Sequence, residues 1–303
     1  MRNVDKREEV EEEQEKGSKL LKIIYFKKIK YTTVMCVLAV DTALPHRVFS
    51  LFSNRITILE KEMSGVKLVE FNSEDSFVND SVSFIHSIIN DAIKSRGAAV
   101  IGLSGGTSPK PIYNALVASN DIDWNKVYFF CVDERYITKT SADSLNHLVA
   151  NSIFREGLPT HKLLNDGIHF TCPNTSLPLD LCIAKYHADL EHLLKKSGGA
   201  ADLVTLGMGE DGHIASIFPV TDENEPPAPI SLVYHTTTTR FVVFDRITTN
   251  LRFLEKSRAK LFFMKGESKK VVWDEMLAAP ENIRRWPAQG IIKSGHTYVH
   301  YLK

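Results

Sequence analysis

The chain has 303 residues, with 37 Lys+Arg against 37 Asp+Glu, so its formal net charge is zero; 43% of residues are hydrophobic and 24% charged. That balance excludes a globally basic nucleic-acid binder and an acidic solvating chain, and leaves an ordinary globular protein of one large domain or two modest ones. A chain this long buries most of the surface it exposes when unfolded and needs no staples. Cys36, Cys131, Cys172 and Cys182 form no CxxC pair, which argues against zinc-ribbon and thioredoxin-type readings and for reduced thiols in an intracellular protein.

Residues 1–18 carry seven acids (Asp5, Glu8, Glu9, Glu11, Glu12, Glu13 and Glu15) and almost nothing to bury. A solvated tail or frayed helix is expected there. The sign then reverses, with Lys19, Lys22, Lys27, Lys28 and Lys30, and an apolar run follows from Val34 to Val40. That run is far shorter than the ~20 apolar residues a membrane span needs. It also lies too far from Met1 for an ordinary signal peptide, and the acids oppose a transit peptide. Residues 1–62 therefore read as a charged, poorly ordered extension of a cytoplasmic protein, with organellar targeting as the alternative. A single α/β domain is expected over residues 63–303.

From Met63 the chain alternates strands and helices. Val66–Phe71 alternates like a strand, and apolar residues from Phe77 to Ile93 recur at helical spacing after the caps offered by Asn72, Ser73 and Asp75. Residues 98–103 form a continuous apolar run, as a buried parallel strand does. Further strands are expected at 126–132, 201–206, 240–244 and 259–264, and an edge strand at 296–302. Helices are expected after Pro109, at 144–154 and at 181–194. Repeated βα units imply a Rossmann-like, mostly parallel sheet with helices on both faces. Active sites of open α/β sheets lie at the carboxyl ends of the strands, and three polar clusters fall at such ends.

The first cluster, Ser104-Gly105-Gly106-Thr107, joins a strand to a helix. Two residues without Cβ atoms let backbone N–H groups and the helix N-terminus face an anion such as phosphate. A plain tight turn is the alternative, and neither a Walker A loop nor GxGxxG is present. The second is Asp133-Glu134-Arg135. Arg forks onto phosphate or carboxylate oxygens, whereas a surface ion pair would contribute little. The third is Gly207-Met-Gly-Glu-Asp211-Gly212-His213. Histidine suits proton transfer near neutral pH, and Asp211, one flexible residue away, can fix its tautomer and stabilise the imidazolium. A structural histidine in a tight turn is the competing reading. With no elbow motif around a Ser or Cys, water is the more natural nucleophile.

Other residues carry less chemistry. His296 and His300 share a strand face with no third ligand in view, which does not make a metal site. Trp124, Trp273 and Trp286, and the run Tyr128-Phe129-Phe130, read as packing anchors.

Taken together, Leu103-Ser-Gly-Gly-Thr-Ser-Pro109, Val132-Asp-Glu-Arg135, Ser144-Leu-Asn-His147 and Asp202–Pro219 with its Gly-Met-Gly-Glu-Asp-Gly-His core resemble the 6-phosphogluconolactonases. The likeness covers roughly residues 63–303 and keeps the motif order. It implies the fold shared with glucosamine-6-phosphate deaminase. It also implies hydrolysis of 6-phosphogluconolactone to 6-phosphogluconate in the pentose phosphate pathway, with no metal or organic cofactor. The expected partner is the small sugar-phosphate lactone, with no nucleic acid or membrane, acting on a monomer or a dimer.

The resemblance further implies that His213 is catalytic with Asp211 beside it, and that Arg135 is an active-site cation. Ser104, Gly105, Gly106, Thr107 and Asp133 would lie around the substrate, and Arg246 and Lys269 match later basic positions. Two departures stand out: Phe244 occupies a position usually held by Pro, and Thr236–Thr239 is unusual. Two other functions fit parts of the same pattern. In the sister deaminases the motif continues Phe-Asn-Glu-Pro, whereas here Phe218 takes the Glu position. A non-catalytic sugar-phosphate sensor would not need Asp211 and His213 intact.

Overall fold

Val100 and Ile101 are neighbours on one strand, yet they belong to two different hydrophobic cores. A strand turns successive side chains to opposite faces, so this sheet is covered on both sides. The computed structural model describes residues 10–16, 19–26, 34–39, 60–63, 65–118, 121–164, 166–220 and 228–303, with side chains described from residue 65 onward.

The chain divides into two units, Met1–Arg55 and Ile56–Lys303. In the first, β1 (Val10–Lys16), β2 (Lys19–Phe26) and β3 (Val34–Ala39) pair antiparallel in that order. Within the acid-rich stretch, residues 10–16 are thus strand in their backbone, while residues 1–9 and 17–18 lie outside the described residues. The neighbouring stretch Lys-Leu-Leu-Lys-Ile-Ile-Tyr-Phe has strand composition and supplies the ladder. Residues 27–33 and 40–59 of the charged extension, Lys27, Lys28 and Lys30 included, also lie outside the described residues.

In the second unit, β4 (Glu60–Met63) pairs antiparallel with β5 (Val66–Phe71), so the sheet starts slightly ahead of the expected boundary at residue 63. There follow α1 (Glu74–Arg96), β6 (Ala99–Leu103), α2 (Lys110–Leu116), β7 (Val127–Cys131), β8 (Asp133–Arg135), α3 (Leu145–Ala150), β9 (Phe170–Thr171) and α4 (Leu179–Leu194). Next come β10 (Leu203–Leu206), β11 (Val233–Thr237), β12 (Asp245–Thr249), α5 (Leu251–Lys256), β13 (Lys260–Lys265), α6 (Glu267–Ala278), α7 (Pro287–Lys293) and β14 (Thr297–Leu302).

The main sheet has the order β4-β5-β14-β13-β10-β6-β7-β9, parallel throughout except at β4. α1, α2 and α3 pack on one face through Phe77, Ile85, Ile89, Ile112, Tyr113, Leu145 and Val149. α4 to α7 cover the other through Tyr186, Leu190, Phe253, Trp273, Met276 and Ile291. The Rossmann-like α/β architecture with helices on both faces is therefore present. α1 starts on an Ser73 cap that accepts from Ser76 N at 3.3 Å, carries Glu74 and Asp75 in its first turn, and ends on left-handed Gly97.

Three sequence expectations are corrected. Residues 240–244 are not a strand: they form the tip between β11 and β12, closed by Thr238 N donating to Phe244 O at 3.1 Å. Val242 at this tip is 91% exposed, so the apolar run signals no burial. β14 is not an edge strand but lies between β5 and β13. The last βα crossover brings it back inside the sheet, a placement that local sequence does not encode. Helical structure over 144–154 is confined to Leu145–Ala150, with turns beyond.

The order β10-β6-β7 sets three strand ends side by side. The loop after β6 leads to α2 on one face, while the chain after β10 leads towards α5 on the other. Such a divergence opens a crevice at the carboxyl edge.

Candidate active site

After β10 the chain turns through Gly207–His213 so tightly that His213 folds back on its own loop. Gly209 N donates to His213 O at 2.9 Å, and Gly212 N donates to Gly209 O at 2.9 Å. His213 Nδ1 lies 2.5 Å from Asp211 Oδ1, which also accepts from His213 N at 3.1 Å. Burial would raise the Asp211 pKa. The hydrogen bond from His213 and the charges of His213 and Arg240 outweigh it and hold the carboxyl at about 2. Asp211 is therefore ionised at neutral pH and favours the Nδ1–H tautomer, leaving Nε2 as a base. The imidazole is walled by Phe218 at 5.0 Å and Phe241 at 5.3 Å, centroid to centroid.

The glycine loop lies at the end of the adjacent strand. Ser104 N donates to Tyr113 Oη at 3.1 Å and to Thr205 Oγ1 at 3.0 Å, and Tyr113 Oη donates to Ser104 O at 3.0 Å. These buried bonds tie the loop to α2 and to β10, the strand that carries the histidine loop. Gly105 lies against Arg135: a Cβ there would fall 3.3 Å from Arg135 Nη1, so a side chain would crowd the guanidinium.

Asp133, Glu134 and Arg135 are β8, which pairs with β12 in a separate sheet of order β11-β12-β8. The register sets Arg246 opposite Arg135. Burial, and then the Arg135 charge, lower the Arg246 pKa. Two cations side by side oppose each other unless an anion is shared. Arg135 Nη1 donates to Asp143 O at 2.6 Å, while its buried Nε meets no acceptor among the described residues. Lys269, at the start of α6, is lowered by burial and raised in smaller part by Glu210.

Ser104, Gly105, Gly106, Asp133, Arg135, Asp211, His213, Arg246 and Lys269 all line one cavity of about 590 Å³, a size suited to a small ligand. A larger depression of about 770 Å³, lined by His187, Leu232, Arg252 and Lys256 among others, borders none of the three strand-end clusters.

The match of residues 72–300 to the family described as glucosamine-6-phosphate isomerases/6-phosphogluconolactonase covers most of the chain. The chain belongs to this family. A Dictyostelium discoideum protein named "Probable 6-phosphogluconolactonase" is 55% identical over 240 residues, 78% of this chain and 98% of that protein. The Thermotoga maritima 6-phosphogluconolactonase is 30% identical over 67% of this chain and 86% of its own length. Among solved structures, a Plasmodium vivax 6-phosphogluconolactonase superposes with TM-score 0.68 at 27% identity, covering 80% of this chain and 92% of that one.

Within this member of the isomerase/lactonase family, one expected residue stands apart. Thr107 is exposed and lines a neighbouring cavity with Lys110, Asn114 and His147 rather than the one that holds His213. Glu134 takes a structural role. Its buried carboxylate accepts from Arg135 N, Ser144 Oγ, Leu145 N and Asn146 N at 2.8–2.9 Å, which caps α3. Asp133 accepts from Ser216 Oγ at 2.6 Å.

His300 is a core residue. Its Nδ1 lies 2.8 Å from Ser81 Oγ, and burial lowers its pKa to about 4. Exposed His296 precedes β14, and among the described residues no cluster of three His, Cys, Asp or Glu is placed to hold a metal ion. Sequence reasoning missed Arg240 and Phe241, which it placed in a strand, and Glu210 and Met208 in the cavity wall. The unusual Thr236–Thr239 stretch just before them was the available signal.

Proposed function

We propose that this chain hydrolyses 6-phosphogluconolactone to 6-phosphogluconate, with His213 as general base. The observation that carries the reading is the shared cavity: the carboxylate-backed imidazole and the glycine loop with its cations face one space. A lactone is a cyclic ester, so the reaction is acyl transfer to water. His213 Nε2 takes a proton from water as the oxygen attacks C1, and Asp211 stabilises the imidazolium. The carbonyl oxygen becomes an oxyanion, then re-forms the carbonyl as the C1–ring-oxygen bond breaks. The imidazolium returns the proton to the departing ring oxygen.

The phosphate does not react; it holds C1 beside the base. The Ser104–Gly106 loop, Arg246 and Lys269 are assigned to it. Arg135 joins them, since its guanidinium rests on Gly105. The aromatic ring of Phe218 beside His213 disfavours the deaminase reading, in which a carboxylate occupies that position. The test is a lactonase assay on the full chain with lactone generated in situ. His213→Ala is expected to lower kcat about 10²–10⁴-fold with little change in KM. Near-normal turnover of that variant, after subtracting spontaneous hydrolysis, overturns the role of His213.

A further inference from the structure

Asp211 Oδ2 is buried and makes no hydrogen bond among the described residues, yet Arg240 Nη1 stands 3.3 Å from it. The contact is an ion pair that misses hydrogen-bond alignment. Arg240 reaches Asp211 from the β11–β12 tip, whose base is fixed by Thr238 N to Phe244 O and by Arg240 N donating to Thr238 Oγ1 at 3.2 Å. The next residue, Phe241, meets the His213 ring edge-on and lies under the Arg246 guanidinium, 5.6 Å from its centroid. Consecutive tip residues thus touch both members of the Asp211–His213 pair.

We infer that Arg240 is a positioning residue: it holds the second oxygen of Asp211 so that the first stays on His213 Nδ1, and its charge opposes protonation of the imidazole. The inference rests on the mechanism proposed above. With the imidazole neutral, Asp211 and Arg240 balance; a proton on His213 adds a second positive charge beside Arg240. The other groups facing this pair are Arg285, which donates to Asp211 O at 3.0 Å, the apolar rings of Phe218 and Phe241, and the cavity charges Asp133, Arg135, Glu210, Arg246 and Lys269. Arg240 is 56% exposed, so solvent and salt weaken its effect.

The experiment compares the wild-type chain with Arg240→Gln and Arg240→Lys. For Arg240→Gln, the acidic limb of the kcat/KM profile is expected to move up by about half a pH unit. kcat is expected to fall about three- to tenfold, with KM within about twofold of wild type. Arg240→Lys restores the limb, and added salt shrinks the difference between wild type and Arg240→Gln. In parallel, NMR titration of the His213 ring without substrate is expected to move in the same direction. That readout remains valid even if the lactone is not the substrate, so failure of the lactonase reading and failure of this inference are distinguishable. An unmoved ring titration and acidic limb overturn the inference, whether KM is unchanged or rises manyfold as for a substrate contact.

Discussion

A methyl group on Gly209 would lie 2.2 Å from both Nδ1 and Cε1 of His213. The imidazole occupies the space a Cβ would need, on the face it shares with Asp211. Gly209→Ala is therefore expected to push the ring out of register while the rest of the fold survives. Misplacement by an ångström can cost about 10²-fold in rate. Steady-state kinetics beside a thermal melt check this: kcat is expected to collapse with Tm nearly unchanged. Wild-type kcat would show that the loop relaxes without moving the base.

Two cavities, both lined by Gly106 and Arg135, meet at the glycine loop. Arg246 and Lys269 line the one that holds His213, and Thr107 lines the other. Arg246→Met and Lys269→Met are expected to raise KM about tenfold or more, as loss of a charge-assisted contact does. Thr107→Ala is expected to leave KM within about threefold. Equal effects from all three would place the phosphate across both cavities.

His300 is buried under Phe71 and Phe84, with Ser81 on Nδ1 and the Asp80 carboxylate 3.8 Å from Nε2. Burial depresses its pKa to about 4, against about 6.5 when unfolded. Between those values the unfolded chain takes up a proton that the folded chain refuses. Its stabilising contribution is thus complete above about pH 6.5 and is lost as pH falls towards 4. His300→Gln is expected to flatten this part of the stability–pH curve, measured by urea unfolding at several pH values. A curve of unchanged slope would remove His300 as its source.

Glu134 gathers the backbone of three residues and a serine hydroxyl on one carboxylate. Burial raises its pKa, while the backbone N–H groups and then Ser144 act to lower it. Removing the acceptor strands two buried donors, Leu145 N and Ser144 Oγ, at roughly 1–3 kcal/mol each, while the part-buried Arg135 N and Asn146 N can turn to water. Glu134→Ala is expected to cost about 2–4 kcal/mol in urea unfolding. A loss below 1 kcal/mol would mean water replaces the carboxylate.

The local code set much of this protein. Alternating and continuous apolar runs marked the strands, because burial on one face or two is written into the side chains themselves. Gly-Met-Gly-Glu-Asp-Gly-His placed an acid and an imidazole two residues apart, close enough that one glycine-rich turn makes them partners. Tertiary structure decided what no local pattern contains. β14 lies inside the sheet because pairing partners are chosen across the whole chain. Glu134 caps α3 from β8 because α3 starts where its carboxylate points. Arg240 reached Asp211 because a hairpin tip folds over the crevice, joining residues 29 positions apart through an electrostatic contact that sequence neighbours do not share.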